Sequence, residues 1–261
     1  MFQYRLTMSP CKIKVIQIFF DKGFMLTCEK VANRKANQKM IKTCIKSVQD
    51  WCNANNYDYE LITKKPNIKI HPTLMLSDKH YSCYQYACFP SSGYDYIIYL
   101  DNDMWIVDPK SSVPLSDFGA FAEEFDEHHA LIYHKILNSS ALSYEPSILI
   151  LSQKRANHLR DWILPRISGD IYTPGWSEYL QKWSFAKPYH VNHLPLLSLY
   201  CSKNKVTEIP KHWNTIPRRI RDISQLRTAK LIHFQSAQKI RQFYMLPLDL
   251  KCKFSALSQQ V

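Results

Sequence analysis

The sequence predicts an α/β fold: a single domain with a mostly parallel central sheet and helices on both faces. Three observations carry this. Short runs rich in β-branched and aromatic residues alternate with helix-length stretches, the pattern of successive βα units. A chain of 261 residues suits one continuous α/β core. Apolar residues make up 46% of it and charged residues 21%, which supplies a core and sets aside a disordered chain.

The elements follow in order. Residues 12–20 (KIKVIQIFF) mix β-branched and aromatic side chains with few breakers, as an interior strand does. Residues 36–53 then place Met40, Ile41, Cys44, Ile45, Val48 and Trp51 at three- and four-residue spacing, the apolar face of a helix lying on a sheet. Residues 57–63 (YDYELIT) alternate as a second strand. A helix is expected over residues 79–89, followed by the Pro90-Ser91-Ser92-Gly93 turn and a buried strand over 94–100 (YDYIIYL). Further strands are expected at 119–122, 129–133 and 147–151, the last leading into a helix over 153–164, and a short strand at 229–234 (AKLIHF). The domain spans 12–246, with an extension over 1–11 and a polar tail over 247–261, read as a loosely held helix or a disordered end.

Composition limits the chemistry. Five glycines against fourteen prolines disfavour Gly-rich phosphate loops, so a phosphate site here would use a metal ion or basic side chains. The net charge is +12, and from Cys201 onward twelve Lys and Arg face three acids. That basic quarter fits an anionic partner: a diphosphate, an anionic membrane surface or nucleic acid. Eight cysteines without a CxxC pair read as reduced, mostly buried thiols. With no secretory leader and no long apolar run in the sequence, a cytoplasmic protein is expected, peripheral to a membrane at most.

The most informative residues are Asp101-Asn102-Asp103, which follow the apolar strand directly and precede Met104-Trp105-Ile106-Val107. Such a tripeptide often marks only a turn or a helix cap. Here two carboxylates emerge at the end of a buried strand, where an ordinary turn gains little from charge. Spaced by one residue, both can face one hard cation such as manganese or magnesium, and that cation can bridge the two phosphates of a nucleotide sugar. Far along the chain the short strand over 229–234 carries His233, and Lys239 lies six residues on. Imidazole joins carboxylates as a manganese ligand, and a lysine there can lie along the same diphosphate.

With these residues the sequence resembles a known family. YDYIIYLDNDMWIVD is similar to the strand and metal motif of nucleotide-sugar transferases of the A-type fold, and HFQSAQK resembles the HFxGxxK motif of their family 8, which includes glycogenin and bacterial lipopolysaccharide galactosyl- and glucosyltransferases. Order and separation match, and the likeness spans residues 12–245. It implies a hexosyltransferase with Mn2+ or Mg2+, a UDP-linked sugar donor, a glycan, lipid-linked or protein acceptor, and retention of anomeric configuration. It further implies that Asp101, Asp103 and His233 ligate the metal, that Asp101 and Asn102 border the nucleotide, that Lys239 grips the diphosphate, that Lys79 reaches the donor, and that Phe20 and Asp21 lie near the nucleobase. Glu145-Pro146-Ser147 replace the family's Asn-Ser-Gly, and Asn192-His193 replace its Asp-Gln ahead of Trp213-Asn214. This makes Glu145, Asn192 and His193 the candidates beside the reacting carbon. Ser236 stands where the family has glycine, and Ile240-Arg241 where it often has Pro-Trp.

Three other readings use the same residues. Nucleic-acid binding would rest on Pro217-Arg218-Arg219-Ile220-Arg221 and the aromatics, but most of those aromatics sit in apolar runs that build a core, and no nucleic-acid motif is present. A metal-dependent nuclease would need a second acidic cluster, for which Glu123, Glu124 and Asp126 are candidates. The altered family positions would also fit a catalytically inactive interaction module.

Overall fold

The computed structural model describes residues 11–20, 31–75, 80–122, 144–171, 173–174, 176–178, 181, 194–235 and 239–261. The expected β1-α1-β2 start is present as β1 (Ile13–Ile18), α1 (Val31–Asn55) and β2 (Asp58–Ile62). Next come β3 (Tyr96–Leu100), β4 (Met104–Ile106), β5 (Phe118–Ala122) and β6 (Tyr144–Ser152). Helices α2 (Gln153–Ser168) and α3 (Leu194–Ser202) follow, then β7 (Thr207–Glu208) and β8 (Leu231–His233), and finally α4 (Lys239–Tyr244) and α5 (Leu248–Ser258).

Six of these strands form one sheet in the order β2-β1-β3-β6-β5-β7. β1 runs parallel to β2 and β3, and β5 parallel to β7, while β6 is antiparallel to both its neighbours. One strand of six is therefore reversed, which keeps the sheet mostly parallel. The strand over 147–151 gave no sign of its direction, because it runs straight into α2 as a strand of a βα unit would.

Alternation along the strands sends side chains to two faces. Ile16 and Ile18 of β1 and Ile97 and Tyr99 of β3 join one core cluster, with Leu159 and Ile163 of α2 and Leu196 and Leu197 of α3. Ile13, Val15, Ile98 and Leu100 join the other, against Val48 and Trp51 of α1. The helices on both faces are thus as expected. Ser152 caps α2, its Oγ accepting from the Arg155 N–H, and Gly169 ends that helix at a positive φ of 81° that glycine adopts without strain. Residues His80–Cys88 form a 3-10 helix rather than an α-helix. Its buried Cys83 and Tyr86, with Phe89 beyond, recur every three residues, the spacing that a 3-10 turn brings onto one face.

Two differences concern the C-terminal region. β4 and β8 pair as a separate antiparallel two-stranded ribbon, with Met104 opposite His233. Residues beyond Pro247 form the helix α5, which is packed rather than loose: Leu250 and Phe254 are buried, with the Phe254 ring 5.1 Å from Trp105 and 5.4 Å from Phe234. Of the cysteines described, Cys44, Cys52, Cys83 and Cys201 are buried, Cys88 is half-buried, and all are free thiols along with exposed Cys11 and Cys252. No helix among the described residues is long and apolar enough to cross a membrane.

Candidate metal and diphosphate site

The site begins where β3 ends. The Asp101 N–H donates to the Ser147 carbonyl of β6 at 2.8 Å, and the Asp101 carbonyl accepts from Gln17 Nε2 of β1 at 3.0 Å. Tyr59 of β2 donates its hydroxyl to Gln17 Oε1 at 3.0 Å, which fixes the glutamine. Asn102 Nδ2 donates to the Ile18 carbonyl at 2.7 Å, so this side chain braces the loop against β1. Asp103 then enters the ribbon, its carbonyl accepting from the Phe234 N–H at 3.0 Å. Three strands of the sheet and the opposite strand of the ribbon thus hold three consecutive residues.

The ribbon brings His233 to the aspartates across 130 positions of sequence. One ligand atom from each of Asp101, Asp103 and His233 lies within 4.8 Å of the others, a group that can share one ion. His233 is buried, its Nε2 3.3 Å from Asp103 Oδ1, and that oxygen, also buried, has no hydrogen-bond partner beyond this imidazole. Lys239 Nζ donates to the other oxygen, Oδ2, at 2.5 Å and to the Phe234 carbonyl at 3.1 Å. An orphaned, buried carboxylate oxygen facing a buried imidazole nitrogen is a donor set that fits a hard divalent cation. The predicted ligands and Lys239 are therefore brought together.

Charge is divided unequally between the aspartates. Burial pushes the Asp101 carboxyl up from 3.8 to about 6, and the neighbouring Asp103 charge adds to this against His233 and the Tyr99 hydroxyl, which donates to Asp101 Oδ1 at 2.8 Å. Burial would also raise Asp103, but Lys239 and His233 outweigh it and hold this carboxyl well below the usual range. His233 is held up: burial lowers its affinity for the proton, and the Asp103 charge more than restores it. Cys44 lies close enough to feel Asp103 and Lys239, yet burial raises its thiol far above the ordinary value and leaves it inert.

Behind His233 lies a chain of side chains. His233 Nδ1 is 3.1 Å from Asn214 Oδ1; Asn214 Nδ2 donates to Glu145 Oε2 at 3.1 Å, and Gln235 Nε2 to Glu145 Oε1 at 2.6 Å. Gln235 Oε1 in turn accepts from Arg218 at 2.5 Å and Arg219 at 3.3 Å. Sequence reasoning named Glu145 but missed Gln17, Asn214 and Gln235. A glutamine inside KIKVIQIFF and an amide directly after Trp213 were the available signals, each a polar group where an apolar one would fit.

The remaining candidates fare differently. Phe20 is 6% exposed and packs edge-on against Tyr84 at 5.8 Å, so its ring is part of the core. Asp21, Lys79, Asn192, His193 and the acidic Glu123, Glu124 and Asp126 lie outside the described residues, as does the strand expected at 129–133.

No family model matches the chain, and no curated protein matches it in sequence. Solved structures do match it. A glycosyltransferase involved in the glycosylation of the major capsid of PBCV-1 aligns with a TM-score of 0.53 at 12% identity, covering 90% of this chain and 99% of that one. Galactosyltransferase LgtC, solved with donor and acceptor sugar analogs, aligns at 12% identity over 95% of this chain and 96% of its own, with a lower TM-score of 0.49. The mouse xyloside xylosyltransferase 1 aligns at 11% identity, with a TM-score of 0.46, over 85% of this chain and 97% of its own. Nearly full mutual coverage with the capsid glycosyltransferase establishes the shared architecture, and the chain has a glycosyltransferase fold.

Proposed function

We propose that this chain is a metal-dependent glycosyltransferase that moves a hexose from a nucleotide-diphosphate sugar, a UDP-sugar, to a glycan, lipid-linked or protein acceptor with retention of configuration. The observation that carries this is the convergence of Asp101, Asp103 and His233, with Lys239 beside them, at the carboxyl end of β3 in a glycosyltransferase fold. Ligands of open α/β sheets bind beyond strand ends of this kind.

Asp101 and Asp103 offer one carboxylate oxygen each and His233 offers Nε2, a set suited to Mn2+ or Mg2+. A divalent cation held there supplies the Lewis acid that stabilises charge on a departing nucleoside diphosphate. Lys239 adds a positive point charge on the same side; its ammonium now holds Asp103 Oδ2, which leaves Oδ1 to a metal, and would turn to the diphosphate when one binds. Loading would compete with protons at two ligands, the raised carboxyl of Asp101 and the imidazole of His233, whose proton Asp103 holds.

Retention requires either a nucleophile on the far face of the sugar or a front-face attack assisted by the leaving group. Glu145 is buried with both oxygens occupied by amide donors, which leaves it poorly placed to attack. That supports the front-face route, in which the residues here bind, orient and neutralise charge. The basic C-terminal quarter, with exposed Tyr244, Met245 and Leu248 and, in the same stretch of sequence, exposed Arg241 and Lys253, supports peripheral contact with an anionic membrane near a lipid-linked acceptor.

The test is calorimetry with UDP, GDP and their sugar conjugates, in Mn2+ and in chelator, on the wild type and Asp103→Ala. Mn2+-dependent binding of a uridine nucleotide that disappears in the variant is expected. Binding of no nucleotide under either condition refutes the reading.

A further inference from the structure

We propose that Glu145 is a positioning residue for the metal site: acting through Asn214, it fixes His233 with Nδ1 as a proton donor, so that Nε2, on the Asp103 side, is the nitrogen left to a metal. This rests on the metal reading above and extends it to a buried carboxylate outside the ligand set.

The backbone first puts Glu145 where it can do this. The β5–β6 pairing slips between Ala120 and Phe121, so that Ala120 faces Leu149 while Phe121 faces Glu145. Three residues of β6 intervene across one step of β5. They begin with Pro146, which has no N–H to give a ladder, and a bulge of this kind re-aims the neighbouring side chain. On the other side, Thr215 bridges to Ile232, with its N–H on the Leu231 carbonyl at 3.0 Å and its carbonyl on the His233 N–H at 2.9 Å. Asn214 is thereby held beside the β8 strand that carries His233.

The hydrogen-bond chemistry then leaves one arrangement. A carboxylate only accepts, so the two Glu145 oxygens select the NH2 ends of Asn214 and Gln235. With its NH2 turned to Glu145, Asn214 presents Oδ1 to the imidazole, and the facing nitrogen, Nδ1, must carry a proton. Nε2 is then the nitrogen available to a metal, and it is the one aimed at Asp103. Gln235 cannot turn to compensate for a change at Glu145, because Arg218 and Arg219 both donate to its Oε1.

Nearly isosteric variants separate the two orientations of Asn214. In Glu145→Gln an NH2 replaces one carboxylate oxygen, so one of the two amides must turn. Gln235 is pinned, so Asn214 turns its NH2 to His233, and the imidazole proton moves to Nε2. In Asn214→Asp the imidazole keeps its acceptor, but two buried carboxylates oppose one another. With both substitutions together, the new amide at position 145 would donate to the new carboxylate at position 214, and that carboxylate would accept from His233 Nδ1. This restores the arrangement with the charge displaced by one residue.

Two readouts on the full chain decide it. Mn2+ binding without nucleotide, followed by the electron paramagnetic resonance signal of free Mn2+, should weaken about 10- to 100-fold in Glu145→Gln and return to within about 3-fold of wild type in the double. Equal Mn2+ affinity in wild type and Glu145→Gln, or a double variant as weak as Glu145→Gln, overturns the proposal. Imidazole 15N spectra in chelator at pH 8.5, with His233 assigned by His233→Gln, read the tautomer directly. A proton on Nδ1 in the wild type and the double, shifted to Nε2 in Glu145→Gln, is expected. A wild-type proton on Nε2 refutes the relay, and because this spectrum needs no metal, it stands apart from a failure of the wild type to bind Mn2+.

Discussion

Asp101 carries the sharpest quantitative expectation. Its carboxyl is raised from 3.8 to about 6, first by burial and then by Asp103, so keeping it ionised in the metal-free fold costs about 3 kcal/mol relative to the unfolded chain. The sign follows from the direction of the shift. A group whose folded pKa is raised contributes stability that is whole below its unfolded value and is lost as pH rises through the folded one. The loss therefore runs from near pH 4 to near pH 7, and about half of the 3 kcal/mol falls between pH 5 and 7.5. Asp101→Asn removes the titrating group and keeps an oxygen for the Tyr99 hydroxyl. Urea unfolding in chelator at the two pH values should show the wild type losing that amount more than the variant on going to pH 7.5. At pH 7.5, Mn2+ at 100 times its dissociation constant should then stabilise the wild type by about 2.7 kcal/mol and the variant far less. Parallel pH dependences in wild type and variant would refute the placement of Asp101 as the proton-holding member of the pair.

Two further expectations concern the surface and the core. Leu248 is 77% exposed, so Leu248→Asp should leave the unfolding midpoint nearly unchanged yet weaken cosedimentation with vesicles containing anionic lipid by about 10-fold or more; no dependence on anionic lipid in the wild type would dispose of the membrane contact. Trp51 is fully buried and its indole N–H donates to the Ser111 carbonyl at 2.7 Å, so Trp51→Phe should cost about 2–3 kcal/mol by urea unfolding, through a lost donor and an unfilled volume; a cost under about 0.5 kcal/mol would show that α1 repacks there.

How much of this was legible depended on range. β1, α1, β2 and β3 carry their own periodicity, and each lies within a few residues of where its pattern put it. Asp101 and Asp103 were legible because charge directly after YDYIIYL has no structural purpose that a turn would not serve more cheaply. His233 and Lys239 were legible only in company, through the likeness of HFQSAQK to a known motif. The reversal of β6 was not, since antiparallel pairing with β3 and β5 leaves no trace in a strand that is apolar on both faces and enters a helix at once. Nor was the Asn214–Glu145–Gln235 chain, whose members are far apart in sequence and act through hydrogen bonds that no local pattern encodes. The tail misled for a compositional reason: among polar neighbours, Leu250 and Phe254 are just two apolar residues, but at i and i+4 they share a helix face.

That tail bears on the site itself. Asp101 follows β3 of the main sheet, but His233 belongs to the ribbon, and the ribbon has only three residue pairs to fix its register. Such a short ladder is marginal alone and needs packing to hold it. Packing comes from Met40 and Cys44 of α1 and from Leu250 and Phe254 of α5, which close around Trp105, Ile232 and Phe234. The Ser47 hydroxyl of α1 accepts the Ile106 N–H at 3.0 Å and holds the other strand of the ribbon. Residues outside the ligand set thus decide whether an imidazole 130 positions away meets the aspartates. A loss of apolar contact at Leu250 or Phe254 would act on the proposed metal site by loosening His233 before it acted on the main sheet, whose two core clusters do not include α5.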